Sequence, residues 1–430
     1  MVFETTAYAD SAIKPTFLLD HKKAYPKTPA LSIAFRGISS PSNREKAATT
    51  RARNVSVEKN STVPATGTSA CGRFEIDMDY YRVIGPVVRL LPAETAHNAA
   101  LWALRAGLVP PGPAFSHSAL ASVGFGLTFK NPVGLAAGFD KNASVVNSLL
   151  AQGFGFVEAG TVTPLPQPGN PRPRMFRLRE DEAVINRLGF NNEGGDALVA
   201  NLKRRKKVGV LGVNIGKNKD TPDAARDYLT GIEAVYPYAD YITINISSPN
   251  TVGLRNLQQK TQLVALMKAI TAKRDELAES QGRRKAVLYK IAPDLNLQEK
   301  QDIVEAALSH SVDGLIVSNT TVTRPASIQS HYRDEEGGLG GRPLKALSIA
   351  TLRDIRSLSQ GRIPLIGVGG IGSAEDAYAF IRAGASLVQV YTALVYQGFN
   401  LVRRINEGLV QLLARDGFKS VESAVGTEIR

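Results

Sequence analysis

The sequence predicts an α/β fold, a (β/α)8 TIM barrel with a small N-terminal helical extension. Two observations lead to this prediction: eight short apolar runs of strand type follow Phe129, and helix-compatible stretches separate them. Eight strand–helix units typically occupy about 250 residues or more, which this chain of 430 residues accommodates. The runs are PVGLAAG from Pro132, FGFVEAGTV from Phe154, VGVLGVNIG from Val208, YITINIS from Tyr241, AVLYKIAP from Ala286, GLIVSNT from Gly314, PLIGVGG from Pro364 and SLVQVYTA from Ser386.

Helical stretches lie between the apolar runs, as a parallel sheet requires. Examples are DAARDYLTGIEAV after Pro222, QEKQDIVEAALSH after Leu297 and AEDAYAFIRAGA after Ser373. Because such barrels place their chemistry at the carboxyl ends of the strands, and several runs end in polar residues or glycine, the pattern indicates an enzyme.

The composition excludes several classes of protein. Hydrophobic residues make up 43% of the chain and charged residues 21%, as in a folded globular protein. The single cysteine, Cys71, excludes an intramolecular disulfide and any metal centre built from several cysteines, and we expect no metal site. No run of about 18 uncharged apolar residues occurs, so any membrane contact is expected to be peripheral. The formal net charge of +13 suits attraction to anionic lipid, although lysines spread over the barrel helices would give a similar total.

The N-terminal segment, residues 1–77, has a different composition from the rest. It is rich in Ser, Thr, Pro, Ala and Lys and lacks hydrophobic periodicity, so we expect a mostly disordered tail. Three explanations stay open: an organellar transit peptide, a non-conserved extension, and a misassigned start codon with the true start at Met78.

Residues 78–113 are predicted to form two amphipathic helices that meet near Pro92. Apolar residues recur at helical spacing from Tyr81 to Leu91 and again from Ala96 to Leu104. The helices either pack wholly on the barrel or present an apolar face to a partner or a bilayer. Residues 114–430 then form the barrel domain.

The motif GVGGIG, Gly367 to Gly372, matches the glycine pattern of a dinucleotide-binding fold, but its context differs. It follows the seventh predicted strand, and no acidic residue stands about 20 positions further on. In a barrel, the loops after strands 7 and 8 often bind phosphate, which would suit Gly369, Gly370, Tyr391 and Thr392. Alternatively, the glycines only permit tight turns.

Polar side chains are concentrated near predicted strand ends. Side-chain amides offer both a donor and an acceptor and suit a flat heterocycle with alternating carbonyl and N–H groups. Lys141 and Lys290 add cations, which would need an anionic partner if buried. The asparagines are Asn186, Asn214, Asn245, Asn250 and Asn319.

The segment NISSPN, Asn245 to Asn250, offers hydroxyl groups beside two amides. No G-x-S-x-G elbow surrounds it, and none of the five histidines lies at an assigned strand end. A hydrolase triad is therefore not expected.

These motifs together resemble the dihydroorotate dehydrogenases, specifically the membrane-associated, quinone-dependent class 2 enzymes. The resemblance runs from about Met78 to the C-terminus, in the order of the family. The motifs are AAGFDK at Ala136, GFGFVEAGTVTPLPQPGNPRPRMFRL at Gly153, INRLGFNN at Ile185, VNIGKNK at Val213, NISSPNTVGLR at Asn245, KIAPDL at Lys290, SNTT at Ser318, GGLGGRPL at Gly337, GVGGI at Gly367 and VQVYTAL at Val388.

The resemblance implies the oxidation of (S)-dihydroorotate to orotate, in pyrimidine (UMP) biosynthesis, on an FMN at the barrel mouth. Ser248 would be the general base, and hydride would pass from the adjacent ring carbon to the flavin. A free serine is a weak base, and the sequence does not show how it is activated. Class 1 relatives place cysteine at this position, so the serine favours class 2.

The resemblance also implies the binding residues. Lys141 would neutralise the substrate carboxylate, the amides would pair with the pyrimidine edge, and Lys290 would stabilise reduced FMN. Leu188 is tyrosine in some members, which leaves only a backbone contact for it. The substrate residues would be Lys141, Asn186, Arg187, Leu188, Gly189, Phe190, Asn245, Asn250, Asn319 and Thr320. The FMN residues would be Ala136, Ala137, Gly138, Thr161, Asn214, Asn245, Lys290, Ser318, Gly341, Gly370, Tyr391 and Thr392.

By the same resemblance, residues 78–113 would rest on a membrane and form a quinone tunnel lined by His97 and Arg177. The quinone would be ubiquinone or menaquinone. The protein is expected to be a monomer that binds no nucleic acid. Both a bacterial inner membrane and a mitochondrial inner membrane fit, and the bacterial location is favoured.

A flavin-dependent RNA dihydrouridine synthase is the alternative from another class, because a basic FMN barrel could bind tRNA. That function would require a cysteine acid in the barrel and a C-terminal helical RNA domain. No cysteine follows residue 71, and only about 38 residues follow the eighth strand. A non-catalytic membrane-docking module would leave the polar strand ends unexplained.

Overall fold

A computed structural model describes residues 79–251 and 253–429, which form twelve α-helices and thirteen strands. The expectations for residues 1–77, together with Met78 as a start and the surroundings of Cys71, lie outside this range. The strands are β1 Ser122–Gly124, β2 Leu127–Phe129, β3 Val133–Leu135, β4 Phe156–Val162, β5 Met175–Leu178, β6 Ala183–Asn186, β7 Val210–Ile215, β8 Tyr241–Asn245, β9 Ala286–Ile291, β10 Gly314–Val317, β11 Gly338–Gly341, β12 Leu365–Val368 and β13 Leu387–Val390. The helices are α1 Tyr80–Val88, α2 Ala93–Arg105, α3 Val146–Leu150, α4 Gly194–Arg204, α5 Ala224–Val235, α6 Lys260–Gln281, α7 Leu297–Ser309, α8 Lys345–Leu358, α9 Ala374–Arg382, α10 Leu394–Gln397, α11 Asn400–Arg415 and α12 Val421–Ala424.

Eight parallel strands close into a barrel, which confirms the predicted fold. Each of the eight apolar runs supplies one strand, in the chain order β3, β4, β7, β8, β9, β10, β12 and β13. The last strand pairs with the first, with Val388 opposite Val133, and this pairing closes the barrel. Because both faces of these strands are covered, their sequences are almost continuously apolar.

Aromatic side chains fill the amino-terminal end of the barrel. The rings of Phe129, Phe156 and Tyr241 are fully buried and pack edge to face. Glycine is required beside them, because a Cβ on Gly134 would lie 2.3 Å from the ring of Phe156. The amino-terminal end of the barrel is therefore closed by packed side chains.

The outer helices begin at capping residues that the sequence supplies. Asn296 accepts from the backbone N–H of Glu299, and the Glu299 side chain accepts from the Asn296 backbone, a capping box at the start of α7. Ser373 caps α9 and Asp223 caps α5, each by accepting a hydrogen bond from the backbone N–H three residues further on. All three helical stretches named from the sequence are helices.

A three-stranded antiparallel sheet, β11–β6–β5, stands outside the barrel and was not predicted. Asn186 ends β6 in this sheet, so it lies at a strand end but not at the end of a barrel strand. Helices α1 and α2 lie at 80–105 with Pro92 between them. Among the described residues, no helix is both long enough and apolar enough to cross a bilayer.

Candidate active site

One cavity of about 430 Å³ joins the mouth of the barrel to the two N-terminal helices. Tyr81 of α1 and His97 of α2 line it together with Ser248 and Lys290 from barrel loops and strands. The volume lies within the range of about 300–1,000 Å³ that small-molecule sites occupy. A molecule that enters between the helices would therefore meet the polar residues of the barrel mouth.

Most residues that the sequence singled out line this one cavity, although they are spread over more than 290 positions of the chain. They come from the carboxyl ends of the barrel strands, from the antiparallel sheet and from α2, which only the tertiary fold brings together. The lining residues among them are His97, Ala136, Ala137, Gly138, Lys141, Thr161, Arg177, Asn186, Leu188, Gly189, Phe190, Asn245, Ser248, Asn250, Lys290, Ser318, Asn319, Thr320, Gly341, Gly370, Tyr391 and Thr392.

Two of the named residues, Arg187 and Asn214, do not line the cavity. The guanidinium of Arg187 pairs with Glu335 at 2.7 Å and stacks over the ring of Phe176 at 4.6 Å, because alternate side chains of an extended segment point to opposite faces. Asn214 is fully buried one layer below the mouth, where its amide bonds to Glu158. Any effect of these two residues on a ligand is indirect.

Lys141 places an ammonium group in the cavity wall, and its hydrogen-bond partner is a neutral amide rather than a carboxylate. Its ammonium donates to Asn191 Oδ1 at 2.7 Å. Burial, followed by the nearby charge of Arg174, lowers the pKa of Lys141 to about 8. An anionic ligand at this place would supply the missing countercharge.

Lys290 supplies a second buried cation, at the inner end of the cavity. Its side chain is 6% exposed, and its ammonium has no hydrogen-bond partner among the described residues. Burial lowers the pKa of Lys290, and the charge of Glu158 opposes that shift. A buried ammonium without a partner fits a cofactor that carries or gains negative charge beside it.

A glycine cradle lies across the cavity, formed by the loops after β11 and β12. Gly341, Gly369 and Gly370 all have positive φ, at 103°, 126° and 78°. A Cβ on Gly370 would lie 2.8 Å from the backbone nitrogen of Lys345, so no side chain fits there. With the Thr392 hydroxyl nearby, these loops offer the close backbone approach that a phosphate group needs.

Ser248 lies in the loop after β8, and its side chain is 6% exposed. Its hydroxyl oxygen accepts a hydrogen bond from the backbone N–H of Asn250 at 3.3 Å. Among the described residues, no basic side chain forms a hydrogen bond with this hydroxyl.

Side-chain amides surround Ser248 from two directions. Asn250 donates to Asn186 Oδ1 at 3.0 Å, which joins the β8 loop to the antiparallel sheet. Asn319, after β10, donates to the Ser247 hydroxyl at 3.0 Å. The two walls thus present amide groups whose orientations are set by hydrogen bonds to neighbouring side chains.

The cavity continues between α1, α2 and the barrel. His97 packs edge-on against Phe139 with a centroid distance of 5.1 Å, and burial lowers the pKa of His97 to about 4. The imidazole is therefore neutral at physiological pH. Arg177 of β5 donates to the backbone carbonyl of Leu91 and lines the same part of the cavity.

Two polar residues that support the cavity were missed in the sequence. Glu158 is the one charged residue of the apolar strand β4, and this exception was a signal that could have revealed it. Arg255 bridges three mouth loops by donating to Ser247 O, Asp294 Oδ2 and Thr320 O. Such long-range bonds leave no local pattern in the sequence.

The outward face of α1 and of the turn after it is largely apolar, and Trp102 adds a large exposed apolar side chain on α2. Val83, Val87 and Leu90 are 66–75% exposed, and Trp102 is 64% exposed. Soluble proteins rarely expose so many large apolar side chains on two adjacent helices. Leu108, just beyond α2, extends this apolar face.

Comparison with known proteins gives one consistent family. The family model described as dihydroorotate dehydrogenase matches residues 119–413. A dihydroorotate dehydrogenase (quinone) of Parvibaculum lavamentivorans is 54% identical over 353 residues, 82% of this chain and 99% of the relative. A mitochondrial dihydroorotate dehydrogenase (quinone) of Mus musculus is 49% identical over 350 residues, 80% of this chain and 88% of the relative. The crystal structure of the Eimeria tenella enzyme in complex with ferulenol superposes with a TM-score of 0.76 at 44% identity, covering 80% of this chain and 99% of that one.

Proposed function

The chain belongs to the dihydroorotate dehydrogenase family, within its quinone-dependent class, and from that premise we propose how its cavity carries out the reaction. The enzyme is an oxidoreductase that oxidises dihydroorotate with a quinone as electron acceptor, in pyrimidine biosynthesis. The observation that carries the rest of the proposal is the single cavity that reaches from α1 and α2 to Ser248 and Lys290. The same cavity could therefore admit both substrates, the quinone from the side of the helices and dihydroorotate at the barrel mouth.

FMN is the proposed cofactor, because the inner half of the cavity fits its two ends. The glycine cradle and Thr392 would hold the phosphate, and the unpartnered ammonium of Lys290 would stand beside the ring system. When bound, FMN would supply the capacity to accept the hydride of dihydroorotate and to pass electrons on singly or in pairs. The other residues proposed to hold it are Ala136, Ala137, Gly138, Thr161, Asn245, Ser318 and Tyr391, with Asn214 acting from beneath.

Lys141 and the amides are the proposed substrate site. The Lys141 ammonium would bind the carboxylate, and Asn250 and Asn319 would pair with ring carbonyl and N–H groups. This orientation would place the ring beside Ser248. Asn186, Leu188, Gly189, Phe190, Asn245 and Thr320 would complete the wall, whereas Arg187 would act only through the backbone of its segment.

Ser248 is the proposed general base. Its oxygen would take the proton from the ring carbon next to the carbon that loses hydride, while its own hydroxyl proton passes to solvent, so that the serine ends as a neutral hydroxyl. The oxygen already accepts one hydrogen bond, from the Asn250 N–H, which would help to stabilise negative charge that develops on it.

The quinone is proposed to enter between α1 and α2. His97 and Arg177 would line that path, and the neutral imidazole of His97 would suit an apolar molecule. The exposed apolar face of the helices would lie on the surface of an inner membrane, bacterial rather than mitochondrial, with the protein as a monomer.

An anaerobic absorbance experiment tests this function. We would purify the protein in detergent, record its visible spectrum, add dihydroorotate, and then add either a ubiquinone analogue or NAD. The flavin band should bleach with dihydroorotate and return only with the quinone analogue. A flavin that dihydroorotate leaves oxidised would refute the substrate site, and recovery with NAD would refute the quinone path.

A further inference from the structure

Glu158 is a fully buried carboxylate in the interior of the barrel, below the floor of the cavity. It accepts three hydrogen bonds, from Asn214 Nδ2 at 2.8 Å, from Gln389 Nε2 at 2.9 Å and from the Tyr241 hydroxyl at 3.0 Å. These donors belong to three different barrel strands, β7, β13 and β8. Burial and the charge of Glu158 raise the pKa of Tyr241 well above its usual value, so that hydroxyl keeps its proton and donates.

A chain of hydrogen bonds leads from Glu158 up to the cavity. The side-chain oxygen of Asn214, Oδ1, accepts from the Thr161 hydroxyl at 2.6 Å, and the Thr161 hydroxyl oxygen accepts from Asn245 Nδ2 at 2.9 Å. The side-chain oxygen of Asn245, Oδ1, in turn accepts from Asn319 Nδ2 at 3.4 Å. Every donor in this chain points towards the carboxylate.

The direction of the chain follows from the chemistry of its inner end. An ionised carboxylate can only accept hydrogen bonds, whereas a side-chain amide has a donor end and an acceptor end of nearly the same shape. Glu158 therefore requires Asn214 to turn its NH₂ group inward and its oxygen outward. Thr161 then donates inward, and Asn245 must do the same.

We propose that Glu158 is a positioning residue that sets the orientation of the ligand-facing amide of Asn245 through Asn214 and Thr161. The Asn245 nitrogen carries a second N–H, which this orientation leaves for a carbonyl oxygen of a planar ligand, whereas Asn319 uses its two N–H groups on Asn245 Oδ1 and the Ser247 hydroxyl. The inference deepens the proposed function and rests on it, because it takes Asn245 as a contact of the pyrimidine ring. If the proposal holds, residues below the cavity, Asn214 and Glu158, also influence the substrate site.

The first test exchanges the carboxylate and the amide. In Glu158→Gln, an NH₂ group towards Gln389 and Tyr241 would oppose two donors, so the NH₂ group should face Asn214 instead and reverse the chain. In the double variant E158Q/N214D, residue 158 donates to residue 214, and Thr161 still donates to residue 214. Orotate affinity of the FMN-loaded protein, measured by isothermal titration calorimetry, should fall about tenfold in E158Q and return to within about twofold of wild type in the double variant.

A second pair of variants separates the chain from the general packing of Glu158. Thr161→Val interrupts the chain and leaves the three hydrogen bonds of Glu158 intact, so it should weaken orotate binding to the same degree as E158Q. Tyr241→Phe removes one donor from Glu158 outside the chain, so it should leave the affinity unchanged. If E158Q does not fold, the comparison of T161V with Y241F decides the matter.

The outcomes distinguish this inference from the function beneath it. Wild-type affinity in E158Q or in T161V would overturn the role of the chain, and so would a double variant that binds as weakly as E158Q. Equal losses in T161V and Y241F would assign Glu158 to packing alone. Wild-type protein that does not bind orotate would refute the proposed substrate, and the positioning role with it.

Discussion

The guanidinium of Arg174 donates two hydrogen bonds to the carboxylate of Glu94, from Nη2 to Oε1 at 2.6 Å and from Nε to Oε2 at 3.2 Å. Glu94 lies in the first turn of α2, and Arg174 comes just before β5 and is 5% exposed. Arg172 donates to the same carboxylate from a position that is 69% exposed. The pair therefore fastens the helical extension to the antiparallel sheet at the cavity wall.

Replacing Glu94 by Gln should loosen α2 and lower the free energy of unfolding by about 1–3 kcal/mol, because it leaves the buried Arg174 without its charge partner. Hydrogen bonds from Arg174 lower the pKa of Glu94 to about 2, against an ordinary value of 4.5. Its stabilising effect is therefore complete above pH 4.5 and is lost as the pH falls towards 2.

Denaturant unfolding of both proteins from pH 7 to pH 3 checks this, with the anisotropy of Trp102, the chain's single tryptophan, as the local signal for α2. The difference between the two proteins should shrink as the pH falls. Arg172→Gln is the matched control and should cost much less than Arg174→Gln, since surface ion pairs contribute little. Equal costs would contradict the role given to Arg174.

Orotate affinity should fall as the pH rises through about 8. The pKa of Lys141 is lowered to about 8 in the free protein, so below that pH the ammonium is charged and available for an anionic carboxylate. Above it the cation is lost, and the dissociation constant should rise by up to about tenfold per pH unit. Calorimetry from pH 6 to pH 10 measures this slope.

The chain offers a matched control for this titration. The pKa of Lys285 is also lowered to about 8, but its ammonium bonds to the backbone carbonyl of Tyr236, away from the cavity. Lys285→Met should keep the pH dependence, whereas Lys141→Met should abolish it and weaken binding at pH 7. A slope that survives in Lys141→Met would show that another group is responsible.

Replacing Ser248 by Ala should slow the reduction of bound flavin by dihydroorotate by about 10²-fold or more, since a positioned base contributes at least that much. Within the described part of the chain, the side chain makes one hydrogen bond, which it accepts from the Asn250 N–H, so flavin content and orotate affinity should stay near wild type. Anaerobic stopped-flow absorbance measures the rate. Undiminished reduction would remove Ser248 from the role of base.

Replacing Val87 and Leu90 by Ser should weaken attachment to vesicles. Both side chains are at least 66% exposed, so the fold should be unaffected, while the apolar area available to lipid decreases. Co-sedimentation with phosphatidylcholine vesicles containing phosphatidylglycerol should show at least about tenfold weaker binding, and the blue shift of Trp102 emission should shrink.

The control for this experiment replaces Val123 and Leu297, which are 68% and 61% exposed but lie outside the helical extension. The Val123→Ser/Leu297→Ser double variant should bind vesicles like wild type. If both double variants lose binding equally, general hydrophobicity rather than the α1–α2 face attaches the protein. If neither does, the membrane surface lies elsewhere.

The barrel could be predicted from the sequence because its information is local. Each strand buried on both faces is a short apolar run, each helix between them has its own periodicity and cap, and a polar residue after an apolar run marks the carboxyl end of a strand. The amides, the two lysines and the serine of the cavity could be named for this reason. Their convergence then follows from closing eight parallel strands, of which the run containing Lys290 is the fifth.

What only the tertiary structure decided depends on partners far apart in the chain. Strand β11 pairs with β6 across about 150 residues, as Leu339 opposite Ile185, and no local pattern specifies that partner. The same pairing turns Arg187 away from the cavity. Asn214 looked like a mouth residue, yet it bonds to Glu158 below the floor, because the layer of a barrel that a side chain occupies depends on the register between strands. Sequence determines which residue types stand at a strand end; packing across the barrel determines which of them reach the ligand.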